Sequence, residues 1–139
     1  MYTPTFEDEL QTTDVVGLED RPHQIGELAE KFGITLRTIR FYEERGLIEP
    51  RRASARVRLY DLVQVSRLSL IVACRRFGLG VDEVADLLAV RDRDGIDAFR
   101  PRLIAALAAR RDAMRAEIQE AETRLAGLDN WLAEVERSF

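Results

Sequence analysis

From Pro101 to about Glu136 the only helix breaker is Gly127, and apolar residues fall at Met114, Ile118, Ala121, Leu125, Leu128, Leu132 and Val135. The steps alternate four and three. That is the repeat of a coiled-coil seam, narrower than the face a helix turns to a globular core. Pro101 suits a first helical turn, where its missing N–H is no loss. A helix over this span is roughly 50 Å long at about 1.5 Å per residue, too long to be covered by the small domain that precedes it. It either folds back on that domain or pairs with a second copy of itself. The narrow seam and its charged flanks favour pairing, so residues 101–139 are read as a dimerisation helix. Leu103, Leu107 and Trp131 read as further interface rather than as a ligand pocket.

The preceding residues read as a compact head. In "QIGELAEKFG", Ile25, Leu28, Ala29 and Phe32 share one helical face and Gly33 ends it. In "ITLRTIRFYEERG", Thr35 caps a second short helix from Thr38 to Glu44, which Gly46 ends. Two short helices joined by a glycine turn form a helix-turn-helix. Pro50 then stops any helix. Two apolar arms, Leu47–Ile48 and Val57–Tyr60, flank an arginine-rich tip and predict a β-hairpin wing. Asp61 caps a helix to about Phe77 with Leu62, Val65, Leu68, Val72 and Ala73 inward. "GLG" breaks it, and Val81, Val84, Leu87 and Leu88 mark the next amphipathic helix. The expected organisation is an acidic flexible tail over 1–22, a winged helix-turn-helix with a second helix pair over 23–90, a charged linker over 91–100, and the terminal helix. The fold class is mainly α.

Charge separates along the chain. The net value is −4, yet residues 37–76 carry ten arginines against four carboxylates, between two acidic flanks. A basic block of this kind is the footprint of a polyanion-binding surface or of a solvated arginine face. The recognition segment "TIRFYEERGLIEP" mixes residue types because it serves a core, a groove and a corner. Ile39 is placed to bury. Arg37, Thr38, Arg40, Phe41 and Tyr42 lie in the turns that enter a major groove. Arginine forks suit guanine edges or phosphates, and Phe41 suits a thymine methyl. Packing of Phe41 or Tyr42 in the core, and pairing of Arg40 with Glu27 or Glu44, are the structural alternatives. In the wing, Arg56 and Arg58 share a face by strand alternation, and Arg67, Arg75 and Arg76 either extend the positive track or face solvent.

Several classes are excluded on chemistry. No apolar run approaches the ~20 residues of a membrane span, and the amino terminus lacks the pattern of a secretory leader. A single cysteine, Cys74, makes no internal disulfide, which fits the cytoplasm. Together with one histidine, His23, it argues against a protein-only structural zinc site. No paired-carboxylate site, glycine-rich phosphate loop or Cys/His dyad points to an enzyme, and no cofactor is implied.

The stretch "IGELAEKFGITLRTIRFYEERGLIEP", followed by "RVRLYD" and "RLSLIVACRRFGLGVDEVADLL", resembles the amino-terminal domain of MerR-family transcription regulators over about residues 24–90. Arg58 and Tyr60 match the family's wing motif, which implies phosphate contacts. Gln24 stands where the family commonly has a serine or threonine cap, and Val57 where it often has an aromatic. The resemblance implies a homodimer joined by antiparallel long helices, reading a promoter palindrome and untwisting an overlong spacer for RNA polymerase. The family's metal and iron–sulfur sensors need cysteines near the dimer helix. This chain has none after Cys74, so the expected effector is a small organic molecule, a protein partner, or none. A nucleoid-associated or partner-dependent DNA-binding protein is the alternative reading.

Overall fold

The computed structural model describes residues 21–139 apart from 53 and 55. Their order is β1 (His23–Gln24), α1 (Ile25–Phe32), α2 (Leu36–Glu44), β2 (Arg51–Arg52), β3 (Arg58–Tyr60), α3 (Leu62–Arg76), α4 (Val81–Asp94) and α5 (Ile96–Ser138). The chain divides into two compact units between Ala89 and Val90. The tail expected over 1–22 lies outside the described residues except for its last two.

In the first unit the local signals act as elementary chemistry dictates. Thr35 Oγ1 accepts the Thr38 amide at 3.1 Å and caps α2. Asp61 Oδ1 accepts the Gln64 amide at 3.0 Å and caps α3. Gln24 makes no side-chain cap on α1; the entry is held instead by the sheet, where Gln24 pairs with Leu59. Gly33 and Gly46 end α1 and α2 with φ of 64° and 73°, a region where an L side chain is strained. Behind each, the chain folds back: the Ile34 amide donates to Ala29 O and the Leu47 amide to Tyr42 O, both at 3.0 Å.

The core of this unit gathers Leu28, Ile39, Tyr60, Val65, Leu68, Ile71, Leu79 and Val84, each 0 or 1 % exposed. Burying such side chains contributes about 1.5–3 kcal/mol apiece. Tyr42, Leu47 and Ile48 join them.

Three predicted boundaries shift. The first wing strand is Arg51–Arg52, with Arg51 opposite Leu59 and Arg52 opposite Arg58; Leu47 and Ile48 are buried and serve the core instead of the ladder. A short strand that periodicity could not reveal, His23–Gln24, pairs with the other edge of β3, giving the order β1-β3-β2. In the second unit, the expected linker is almost wholly helical. Gly95 alone separates α4 from α5, because Phe99 and Leu103 are buried and fix the helical start. Pro101 therefore sits inside α5, and the helix forgoes one ladder hydrogen bond there. Arg91 places its guanidinium 5.7 Å from the Phe99 ring centroid.

Candidate nucleic-acid interface

The exposed side of α2 carries Arg37, Arg40 and Phe41. Ile39, fully buried, keys the helix into the core and thereby turns those three outward. Phe41 is 41 % exposed, and the Arg45 guanidinium lies 5.9 Å from its ring centroid. Arg45 also pairs with Asp82 at the start of α4. That arginine is anchored, and it holds the aromatic in place at the edge of the surface. Thr38 is half-buried and its hydroxyl is 2.9 Å from that of Thr35, so it belongs as much to the cap as to the surface.

Beside α2, the wing presents Arg51, Arg52 and Arg56, all exposed, with Arg58 partly covered. The wing's tip is a turn closed by Ser54, whose Oγ accepts the amides of Arg56 and Val57 at 3.3 and 3.2 Å. Arg40, Arg56 and Arg58 line a cleft of ≈ 350 Å³ together with Ile25, Glu43 and Glu44. Three cations and two carboxylates thus share one opening. Glu43 lies beside Arg58, and carboxylates in the opening disfavour any anion that does not reach the arginines.

Glu43 is the hinge of this arrangement. Its Oε2 accepts the Tyr60 hydroxyl at 2.9 Å, and its Oε1 lies 3.6 Å from Arg58 Nε. One carboxylate on the recognition helix therefore ties down the wing. Burial, and then the hydrogen bond to Glu43, push the Tyr60 phenol well above its ordinary range, so it stays a donor. A second brace lies behind the corner. Arg67 Nε donates to Leu47 O at 2.8 Å, and the Glu49 amide donates to Gln64 Oε1 at 2.8 Å.

The sequence-predicted residues therefore separate into two sets. Arg40, Arg56 and Arg58 come together in one cleft, and Arg37 and Phe41 are exposed on Arg40's side of α2, with Thr38 half-buried beside them. Tyr42, Tyr60 and Arg67 belong to neither group. Tyr42 is 5 % and Tyr60 0 % exposed, and Arg67 is held by the corner's backbone. Tyr42 and Tyr60 give their apolar bulk to the core, and Arg67 gives its Nε–H to the corner. The sequence left Arg51 and Arg52 unnamed within an arginine-rich tip and had Glu43 either facing away or buttressing an arginine; it lies beside Arg58. The arginines directly after Pro50 were the available signal for the first two; nothing local marks Glu43, whose partners are in the wing.

A third cluster closes the back of the sheet. Arg21 grips Glu27 with two nitrogens at 3.2 and 3.0 Å, and buried His23 places Nδ1 3.0 Å from the same carboxylate. Arg21 first, then His23, bring the Glu27 carboxyl down to about 2. Cys74 lies buried in α3 and burial pushes its thiol up to about 11, which leaves little thiolate at neutral pH.

Residues 24–90 match the family model described as "MerR HTH family regulatory protein", and residues 65–131 match that described as "MerR, DNA binding". A mercuric resistance operon regulatory protein of Bacillus cereus is 44 % identical over 72 residues, 51 % of this chain and 54 % of that protein. The match thus spans about half the length of such relatives. The crystal structure of the transcription regulator PbrR691 from Ralstonia metallidurans CH34, in complex with lead(II), is 35 % identical with a TM-score of 0.53, covering 81 % of this chain and 84 % of that one. The fold is also that of HiNmlR, described as a MerR family regulator lacking the sensor domain and bound to promoter DNA, with a TM-score of 0.58 over 76 % of this chain and 79 % of that one at 24 % identity. With the helix-turn-helix, the wing, the second helix pair and the long terminal helix in this order, the chain belongs to the MerR family of regulatory proteins.

Proposed function

We propose that the protein is a DNA-binding transcription regulator that acts as a homodimer on promoter palindromes in the cytoplasm. The observation that carries this reading is the cleft where Arg40 of α2 meets Arg56 and Arg58 of the wing, with Arg37 and Phe41 exposed on Arg40's side of α2 and Arg51 and Arg52 exposed on the wing. On this reading α2 enters the major groove, where Arg37 and Arg40 read base edges and Phe41 packs on a thymine methyl. The wing arginines neutralise phosphates and position the head. Tyr60, Tyr42 and Arg67 hold those groups in place without touching DNA.

The switch we assign is deformation of the spacer between promoter elements, so that RNA polymerase meets both on one face. Bending or untwisting a site costs a few kcal/mol, about what backbone contacts supply. We assign no metal effector. Relatives include regulators of mercuric resistance and a lead(II) complex, but this chain's single cysteine is Cys74, and its thiol is buried and weakly acidic. A small organic molecule or a protein partner fits better. Among the described residues no helix is long and apolar enough to cross a membrane.

The test is a base-resolution genomic footprint of the wild-type protein and two variants. The reading expects a few palindromic sites inside long promoter spacers. Arg58→Ala should weaken all sites and lower the salt dependence by about one phosphate. Arg37→Ala should relax preference at one base position in each half-site. Dispersed sites lacking that geometry would instead support an architectural protein. Added mercuric or lead(II) ions should leave occupancy and transcription unchanged.

A further inference from the structure

Glu43 occupies an odd place for a carboxylate. It lies in the last turn of α2, which ends at Glu44, where the helix dipole favours cations over anions. Its packing supplies an acceptor for the Tyr60 hydroxyl, 2.9 Å from Oε2, and the amide oxygen of a glutamine would accept that hydroxyl as well. The brace therefore needs the shape of Glu43 and does not need its charge. That charge falls on Arg58, whose Nε is 3.6 Å from Oε1. A partly exposed pair of this kind adds little stability, so its use lies elsewhere. Of the two side chains the arginine is the outer one, 31 % exposed against 18 %. A phosphate arriving from water thus meets Arg58 first, with the carboxylate behind it.

Such a pair acts differently at short and at long range. Coulomb attraction falls as the inverse of distance. For a phosphate touching the guanidinium at about 4 Å, a carboxylate about 4 Å farther off cancels about half of the attraction. At about 12 Å it cancels about three-quarters, and salt screens most of the remainder. Arg58 is left as a contact cation with little reach. The two kinds of DNA complex use phosphates differently. A non-specific complex is held by cations near phosphates at no fixed distance. A specific complex seats a phosphate against a given side chain. A carboxylate behind the arginine therefore weakens the first kind more than the second. Selectivity gained by penalising wrong partners is a general device.

We infer that Glu43 is a specificity-determining residue: its charge, set behind Arg58, holds down binding to DNA at large and leaves the seated complex nearly intact. The inference rests on the DNA-binding reading above, with Arg58 as a phosphate contact.

The test compares the full-length wild type with Glu43→Gln, Glu43→Asp and Glu30→Gln. The probes are a random-sequence duplex and a duplex that the wild type has selected from a random pool, each titrated by fluorescence anisotropy over a range of salt. Glu43→Gln keeps the acceptor and removes the charge. It should bind the random duplex about tenfold more tightly at low salt, with a salt slope steeper by about one per head. The selected duplex should gain less than about threefold, so that its advantage over random DNA shrinks. Glu43→Asp keeps the charge and should show no gain. Glu30→Gln makes the same change in net charge on α1, outside the cleft, and should leave the ratio of the two affinities as in wild type. A Glu43→Gln protein that binds the random duplex no better than wild type would overturn the inference and reduce Glu43 to a brace. Equal gains for both duplexes, or the same shift of the ratio in Glu30→Gln, would overturn it too, since net charge alone would then be the cause. The same gain in Glu43→Asp would place the cause in shape and overturn it as well. A wild type that binds no duplex and selects none would overturn the DNA-binding reading itself, and this inference with it.

Discussion

Leu28, Ile39, Leu68 and Ile71 in the head have no exposure, whereas Ile118, Leu125 and Leu128 on α5 are each more than half exposed. Both sets recur at helical spacing, so periodicity says which side of a helix is apolar and leaves open what covers it. The head closes its own core with short helices cross-braced by Glu43, Arg45 and Arg67. The terminal helix spans 43 residues, and on the homodimer reading its apolar row takes its cover from a second copy. The two regions therefore fail differently when cut, and that difference can be measured.

The largest effect is expected at the seam. Leu125→Asp removes about 2 kcal/mol of apolar burial from each copy and sets a carboxylate in the interface. Dimerisation should weaken about a thousandfold by sedimentation, since the loss counts once in each of two copies. Thermal unfolding of the head should hardly move. If instead the head melts with the helix, the two regions are one cooperative unit and do not fail separately.

Next comes the head's own core. Ile39→Ala opens a cavity beneath the recognition helix and should cost about 3 kcal/mol of stability in urea titration. On the homodimer reading dimerisation should survive, since the seam residues all lie on α5. A dimer that falls apart in this variant would show that the helix depends on the head.

A smaller change sharpens the role of the wing. Tyr60→Phe keeps the ring in the core but takes away the hydroxyl that Glu43 accepts. The expected loss is about 1–2 kcal/mol of stability. DNA affinity should drop with the base preference unchanged, because Arg58 loses its fixed neighbour while Arg37 does not. Altered preference would mean that Tyr60 reads DNA directly.

The helices, both caps and the glycine stops were legible because each rests on neighbours within a few residues. Thr35, Asp61, Gly33 and Gly46 act locally, and the sequence displays them. The same holds for Arg37, Arg40, Arg56 and Arg58, whose charge pattern marks a surface without any contact being known. What sequence could not supply was long-range. The pairing of His23–Gln24 with β3 joins segments far apart in the chain, and a two-residue strand has no period. Glu43 could face away or buttress an arginine, and only the folded wing brings it Tyr60 and Arg58. Tyr42 and Tyr60 have an apolar body and a polar tip, so composition alone cannot say which end decides. The linker over 91–100 failed for a related reason: its charges suggested solvent, but Phe99 and Leu103 are buried and hold the helix through them.

The smallest expected effect belongs to the cluster at the head's amino-terminal edge, and it has a sign that can be checked. Glu27 accepts both Arg21 nitrogens and approaches His23, and its carboxyl falls from 4.5 to about 2. A carboxylate held below its unfolded value stabilises the fold above that value, and the contribution fades as pH drops through the folded one. The advantage of Glu27 over a Glu27→Gln variant should therefore be full above about pH 5, shrink between about pH 4.5 and 2, and vanish below. Urea titrations of the two proteins across that range measure it. Both faces of the pair are partly in water, with 47 % and 39 % of the side chains exposed, so salt should reduce the advantage as well. A difference that stays constant with pH would mean that the amide replaces the carboxylate's hydrogen bonds unequally and that charge is irrelevant there. The Arg21–Glu27 clasp would then be a matter of shape, and the head's edge would be held by the β1–β3 ladder alone.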